Sequence, residues 1–199
     1  VSAKLTLPYS AFNGVDYTAL KEERQEKSNR IQELSTSVDD NDIIERNEAS
    51  QRITEIDQER YKWLEFYKIK FSGDWYAKIK GNLVLRPRFE FGFLGAYNND
   101  RGVIPFERFF VGGDGMQQFA RLDGREAVPL RGYPNQSLSD NDGGTIYNKF
   151  SLELRHPITL KGQTKIYAMG FLEGGGSYNN FKDFNPFVIK RAAGIGIRL

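Results

Sequence analysis

The chain has 199 residues, 39% of them hydrophobic, with a formal net charge of +2, one histidine and no cysteine. Its mean hydropathy is −0.56, and no run approaches the roughly 18 apolar residues of a membrane-spanning helix. These counts exclude a disulfide frame and thiolate or multi-histidine metal sites, and so balanced a charge speaks against a nucleic-acid partner. One membrane class stays open. Transmembrane β-strands alternate apolar and polar side chains and carry little hydropathy signal, and the chain holds 15 Phe and 10 Tyr.

In chain order, Val1–Leu7 reads as a strand broken by Pro8. Ile195–Leu199 is also strand-like, so the chain is expected to be a piece of a larger protein with its targeting information upstream. Residues 16–60 are of another kind: charged, poor in aromatics and rich in helix formers. Asp40 or Asn41 is expected to cap a second helix through Ile43, Ile44 and Glu45. Ile31, Leu34 and Val38 recur at helical spacing, as do Ile53 and Ile56, on a thin apolar stripe. The segment reads as one or two exposed helices, as a hairpin or in part disordered; sustained heptads for a coiled-coil partner are missing.

From Tyr61 to Tyr76 the period becomes two. Tyr61, Trp63, Tyr67, Ile69, Phe71 and Trp75 share one parity; Lys62, Lys68, Lys70, Ser72 and Asp74 share the other. Lys80-Gly81-Asn82 reads as a turn. Beyond it Leu83, Leu85, Pro87, Phe89, Phe91 and Phe93 oppose Asn82, Arg86, Arg88, Glu90 and Gly92. A uniformly large apolar face opposite closely spaced charges suits a membrane barrel with lipid outside and a polar lumen. The alternative is a soluble β-sandwich, which would bury the Leu83–Phe93 apolar face under a second sheet.

No strand period holds from Ala96 to Gly144, a stretch too long for an ordinary loop. It is punctuated by glycine at 112, 113, 115, 124, 132, 143 and 144. Phe106, Phe109, Phe110, Met116, Phe119 and Tyr133 are expected to anchor it by folding back and packing. Three strands follow, over residues 145–156, 164–178 and 187–199, joined by a turn at 157–163 and by "NNFKDFNP". The count is about six antiparallel strands, fewer than the roughly eight of the smallest closed membrane barrels.

Inside the long loop lies "VPLRGYPNQS". It lacks the Gly-Lys-Ser/Thr of a phosphate loop. The order of "PFERFFVGGDG", "VPLRGY", "SLELRHPI" and "IYAMGFLEGGGSY" resembles the C-terminal barrel of the BamA-type outer-membrane protein assembly family, within the bacterial surface antigen superfamily. Pro105, Phe106, Glu107, Arg108, Phe109, Phe110, Gly112 and Gly113 match the segment that opens the family's sixth extracellular loop. Leu130, Arg131, Gly132 and Tyr133 match the motif at its tip. The likeness covers Tyr61–Leu199 well and Val1–Phe12 loosely.

The resemblance implies an all-β fold: an antiparallel transmembrane β-barrel fragment, about six strands of a sixteen-stranded barrel, with a charged, partly helical insert at residues 13–60 on the extracellular side. It implies that the loop at 96–144 folds into the lumen, where Arg131 meets acidic residues of the inner wall, here Glu153 and Glu173. A guanidinium has five donors in a rigid fork and can bridge two carboxylates. Gly132 would let the backbone approach the wall, and Tyr133 would add apolar area with a polar tip. It further implies no enzymatic activity and no cofactor. The implied partners are the outer-membrane bilayer of a Gram-negative bacterium, unfolded outer-membrane protein substrates and accessory assembly lipoproteins, with no nucleic acid. The residues alone leave alternatives: Arg131 as a solvated loop arginine, with Glu153 paired to Lys149 or Arg155. A polypeptide-secretion pore of the same superfamily, or a porin-like channel, competes with the assembly role.

Overall fold

The structure, a computed structural model, describes residues 1–37, 39–115, 126–159 and 166–198. Val38, Met116, Phe119, Gly124 and Leu199 lie outside the described residues. The elements are β1 Ser2–Leu5, α1 Tyr17–Glu33, α2 Asp40–Tyr61, β2 Tyr67–Asp74, β3 Ala77–Lys80, β4 Leu83–Gly95, β5 Phe109–Val111, β6 Glu126–Val128, β7 Ile146–Thr159, β8 Ile166–Tyr178 and β9 Lys190–Arg198. They divide into two compact units. One holds Val1–Lys4, Lys68–Leu94 and Pro105–Leu199; the other holds Leu5–Tyr67 and Gly95–Ile104.

The first unit is a sheet in the order β1-β2-β4-β7-β8-β9, with β3 also paired to β4. β3 turns into β4 at Gly81, whose φ of 57° is open to glycine at little cost. β4, β7, β8 and β9 are antiparallel neighbours. Their register sorts the side chains into two faces. Pro87, Leu152, Leu172 and Ala193 form one cross-strand row, and Leu85, Leu154, Gly170 and Ile195 the next. On the opposite face, Arg88, Ser151, Glu173 and Ala192 align, followed by Arg86, Glu153, Phe171 and Gly194.

Burial on this sheet is inverted relative to a water-soluble one. Leu172 is 57% exposed and Ile195 91%, whereas Glu153 is 7% and Glu173 5% exposed. Apolar area left open on one face and charges enclosed on the other is what a lipid-facing wall requires. The soluble-sandwich expectation is not met among the described residues. The second sheet there is the short parallel pair β5–β6, and it packs on the charged face instead. The Phe109 ring lies 4.7 Å from that of Tyr147. A Cβ at Gly92 would collide with both, at 2.2 Å from Tyr147 and 2.8 Å from Phe109.

Several expected boundaries move. The alternation from Tyr61 to Tyr76 is not one strand. α2 continues through Tyr61, β2 begins at Tyr67, and Trp63 rests half-exposed against Tyr9 with ring centroids 5.1 Å apart. Pro157 is not in a turn but in β7, opposite Tyr167. The stretch 96–144 contains β5 and β6. Phe106, an expected anchor, is 64% exposed.

The second unit carries the charged segment as an antiparallel helical hairpin. Asp16 caps α1 by accepting from the Thr18 and Ala19 amides, and Asp39, rather than Asp40 or Asn41, caps α2 through the Asn41 amide. With Tyr17, Leu34, Ala49 and Ile56 as its buried apolar residues among those described, the hairpin depends on charge pairs. Arg24 forks onto Asp57, Arg52 onto Glu23 and Arg30 onto Glu45, at 2.6–3.1 Å. The hydrogen bond from Arg52 holds the Glu23 carboxyl below its usual range, and that from Arg30 does the same for Glu45. Carboxyls depressed in the folded state support it above their unfolded value of about 4.3 and withdraw that support as pH falls below it. Spin labels at Asn29 and Asn47 are therefore expected to show a narrow distance distribution at pH 7 that broadens near pH 3.

Candidate functional site: a loop tied across the charged face

The residues that follow β4 return to the sheet through a compact set of backbone bonds. Phe109 and Gly144 exchange amide–carbonyl bonds at 2.8–2.9 Å. The Gly112 amide donates to the Val128 carbonyl at 3.0 Å and the Gly113 amide to the Tyr133 carbonyl at 3.0 Å. Phe109, Phe110, Val111, Val128 and Leu130 are buried. Gly112 has φ 123°, and a Cβ there would sit 2.5 Å from the Pro134 carbonyl oxygen, so the two arms can close only around glycine. Arg108 Nη1 donates to the Gly143 carbonyl at 3.2 Å. Pro105–Glu107 forms a single 3-10 turn.

This framework delivers Arg131 to the charged face. Its Nη2 donates to Glu153 Oε1 at 2.7 Å and to Glu173 Oε1 at 2.6 Å. Its backbone N–H donates to Glu173 Oε2 at 2.9 Å. Its guanidinium lies over the Phe171 ring, 3.8 Å from the centroid, a favourable cation–π distance. The carboxylates are themselves held. Ser151 Oγ donates to Glu173 at 3.2 Å. Glu153 also accepts from Arg155 and, at 3.3 Å, from Arg86. Lys149 lies 3.8 Å from Glu173. Glu153 thus has both its strand neighbour Arg155 and the loop arginine, and Lys149 faces the other carboxylate.

Leu130 is enclosed over Gly175, where an added Cβ would stand 2.9 Å from Leu130 Cδ1 and 2.5 Å from the Asn148 carbonyl oxygen. Tyr133 Oη donates to the Arg191 carbonyl at 2.8 Å. At Gly132, φ is 87° and a Cβ would approach Ala192 Cβ to 2.9 Å. Gly132→Ala is therefore expected to cost roughly 1–3 kcal/mol, read as a lower melting midpoint of the heat-modifiable band of the full-length protein on gels.

Among the sequence-named residues, the structure brings together Leu130, Arg131, Gly132 and Tyr133 with Glu153 and Glu173; Phe106 stands apart. Sequence reasoning did not assign a contact to Phe171, although it shares a strand face with Glu173 two residues on. Lys68 was also missed as the wall partner of the loop residues Glu107 and Glu126. Lys68 was visible only as one lysine on an alternating strand.

A sheet with one open apolar face and one charged face occupied by its own inter-strand loop is the wall of an outer-membrane-type β-barrel. Residues 49–199 match the Omp85 superfamily domain, and the chain belongs to the Omp85 superfamily. The match begins inside α2, so α1 lies outside it. No curated protein matches the chain. The superfamily comprises outer-membrane proteins that insert or secrete other proteins, in Gram-negative bacteria or organelles.

Proposed function

We propose that the chain is part of the C-terminal barrel of a BamA-type assembly factor that inserts β-barrel proteins into the outer membrane of a Gram-negative bacterium. The supporting observation is the bridge from Arg131 to Glu153 and Glu173. It gives the Leu130–Tyr133 tip of the loop a fixed seat on the charged face, which in this reading is the lumen of a sixteen-stranded barrel. An occupied lumen conducts little, which disfavours a porin-like channel. The role is mechanical: a stiffened wall, thinned bilayer and an available strand edge for an incoming substrate to pair with. No bond is made or broken, and neither catalytic residue nor cofactor is assigned. Unfolded outer-membrane proteins are the substrates and assembly lipoproteins the accessory partners. The helical hairpin within residues 13–60 is then extracellular.

The superfamily's secretion pores are the competing reading. Depletion of the full-length protein in its native cell separates the two. Insertase function predicts the joint loss of many unrelated outer-membrane barrels and the accumulation of their unfolded forms. Normal barrel levels with loss of one exported polypeptide would overturn it in favour of a secretion pore.

A further inference from the structure

The bridge at Arg131 holds the tip of the loop, but its two arms are held elsewhere. Lys68, on β2, is 3% exposed. Its Nζ donates to the Glu107 carbonyl at 2.8 Å and to Glu107 Oε2 at 3.0 Å, and it lies 2.5 Å from Glu126 Oε2. An ammonium has three N–H donors, and three oxygens surround this one. All three belong to the loop. Glu107 stands just before β5 and Glu126 opens β6, so a single nitrogen grips both arms of the parallel pair. The Phe109 ring lies under the same nitrogen, 4.6 Å away at its centroid. Lys70 adds a contact to Glu126 at 2.8 Å, and Lys4 of β1 pairs with Glu107.

The structure assigns Lys68 as a second, independent clamp of the loop: Arg131 fixes the tip to β7 and β8, Lys68 fixes the base to β2, and the loop leaves the charged face only when both release. This rests on the proposed seating of that loop in the lumen. The physical reason is the cost of separation. A buried ammonium cannot leave Glu107 and Glu126 without water to replace them, and without Lys68 the two carboxylates lose the charge they share. No residue contacts both clamps among the interactions described, so their contributions should multiply in the opening constant.

The test is single-channel current through the full-length parent protein in planar lipid bilayers, for wild type, Arg131→Met, Lys68→Met, the double variant and Lys68→Arg. Only preparations that keep heat-modifiable mobility are compared. Each Met variant is expected to raise the open fraction at least roughly tenfold, and the pair by the product of the two single factors. Lys68→Arg, which keeps the charge, should stay near wild type. If Lys68→Met fails to fold, Glu126→Gln should give a smaller rise in the same direction. Opening by Arg131→Met with none by Lys68→Met or Glu126→Gln overturns the clamp while leaving the lumen reading intact. Unchanged current in every variant overturns the lumen reading itself, and the clamp with it.

Discussion

Arg131→Glu is expected to abolish the compact, heat-modifiable form of the full-length protein. The wild-type guanidinium meets Glu153 and Glu173 at 2.7 and 2.6 Å, and both carboxylates are buried. Removing one member of a buried ion pair costs about 3–5 kcal/mol, and the substitution also adds a third carboxylate beside the other two. That sum approaches the whole stability of a typical domain, about 5–15 kcal/mol. Arg131→Lys should fall between. A lysine keeps the charge but lacks the flat fork that contacts two carboxylates and lies on Phe171 at once. Semi-native gel mobility of membrane preparations reads both variants.

The second large effect is expected at Arg101, in the other unit. Arg101 is wholly buried, yet it is surrounded by backbone oxygens rather than by a paired carboxylate. Its Nε donates to the Arg60 carbonyl at 2.8 Å, Nη1 to that of Glu65 at 3.0 Å and Nη2 to that of Trp63. The nearest carboxylate, on Glu65, is 4.0 Å away and accepts from Ser10 instead, through both its amide and its hydroxyl. Arg60 answers by donating to the Arg101 carbonyl at 2.5 Å. The pair closes the C-terminal end of α2, whose last carbonyls lack helical partners. Arg101→Met leaves two buried acceptors, the Arg60 and Glu65 carbonyls, unpaired at about 1–3 kcal/mol each, and frees the part-buried Trp63 carbonyl as well. The expected result is rapid protease cleavage around residues 62–66 in the full-length protein at a dose that leaves wild type uncut. A cleavage pattern indistinguishable from wild type would show that these carbonyls find other donors.

Which parts of this were legible in the sequence follows from the range of each interaction. Side-chain parity on β4 and β7 is local, so the apolar and charged faces there, and the placing of Glu153 with the charges, follow from period two; on β8 the alternation is weak, and Glu173, set among small residues, was reachable only through the resemblance. The Arg131 partners were reachable only through the resemblance, because 22 and 42 residues separate them from the arginine. The donation from the Arg131 backbone to Glu173 depends on the path of the turn, which no side-chain pattern encodes. Lys68 looks like any wet-face lysine until the loop is laid over it. The false strand at Tyr61–Glu65 arose because the aromatic alternation of β2 extends by chance through the connecting residues 62–66 to the last residue of α2. What holds that end is Arg101, far along the chain. β5 was invisible for the opposite reason: three residues are too few to establish a period.

Charge exchange between the loop and the wall tests the tie at Arg131 most directly. Full-length Arg131→Glu, Glu173→Arg and the double exchange are compared for heat-modifiable mobility and for support of growth after depletion of the wild-type protein. Both single variants are expected to lose the compact form, and the double exchange to regain it in part, since the opposite charges meet again at the same place. Silent single variants, or a double exchange no better than the worse single one, would contradict a loop tied to the charged face of the barrel wall.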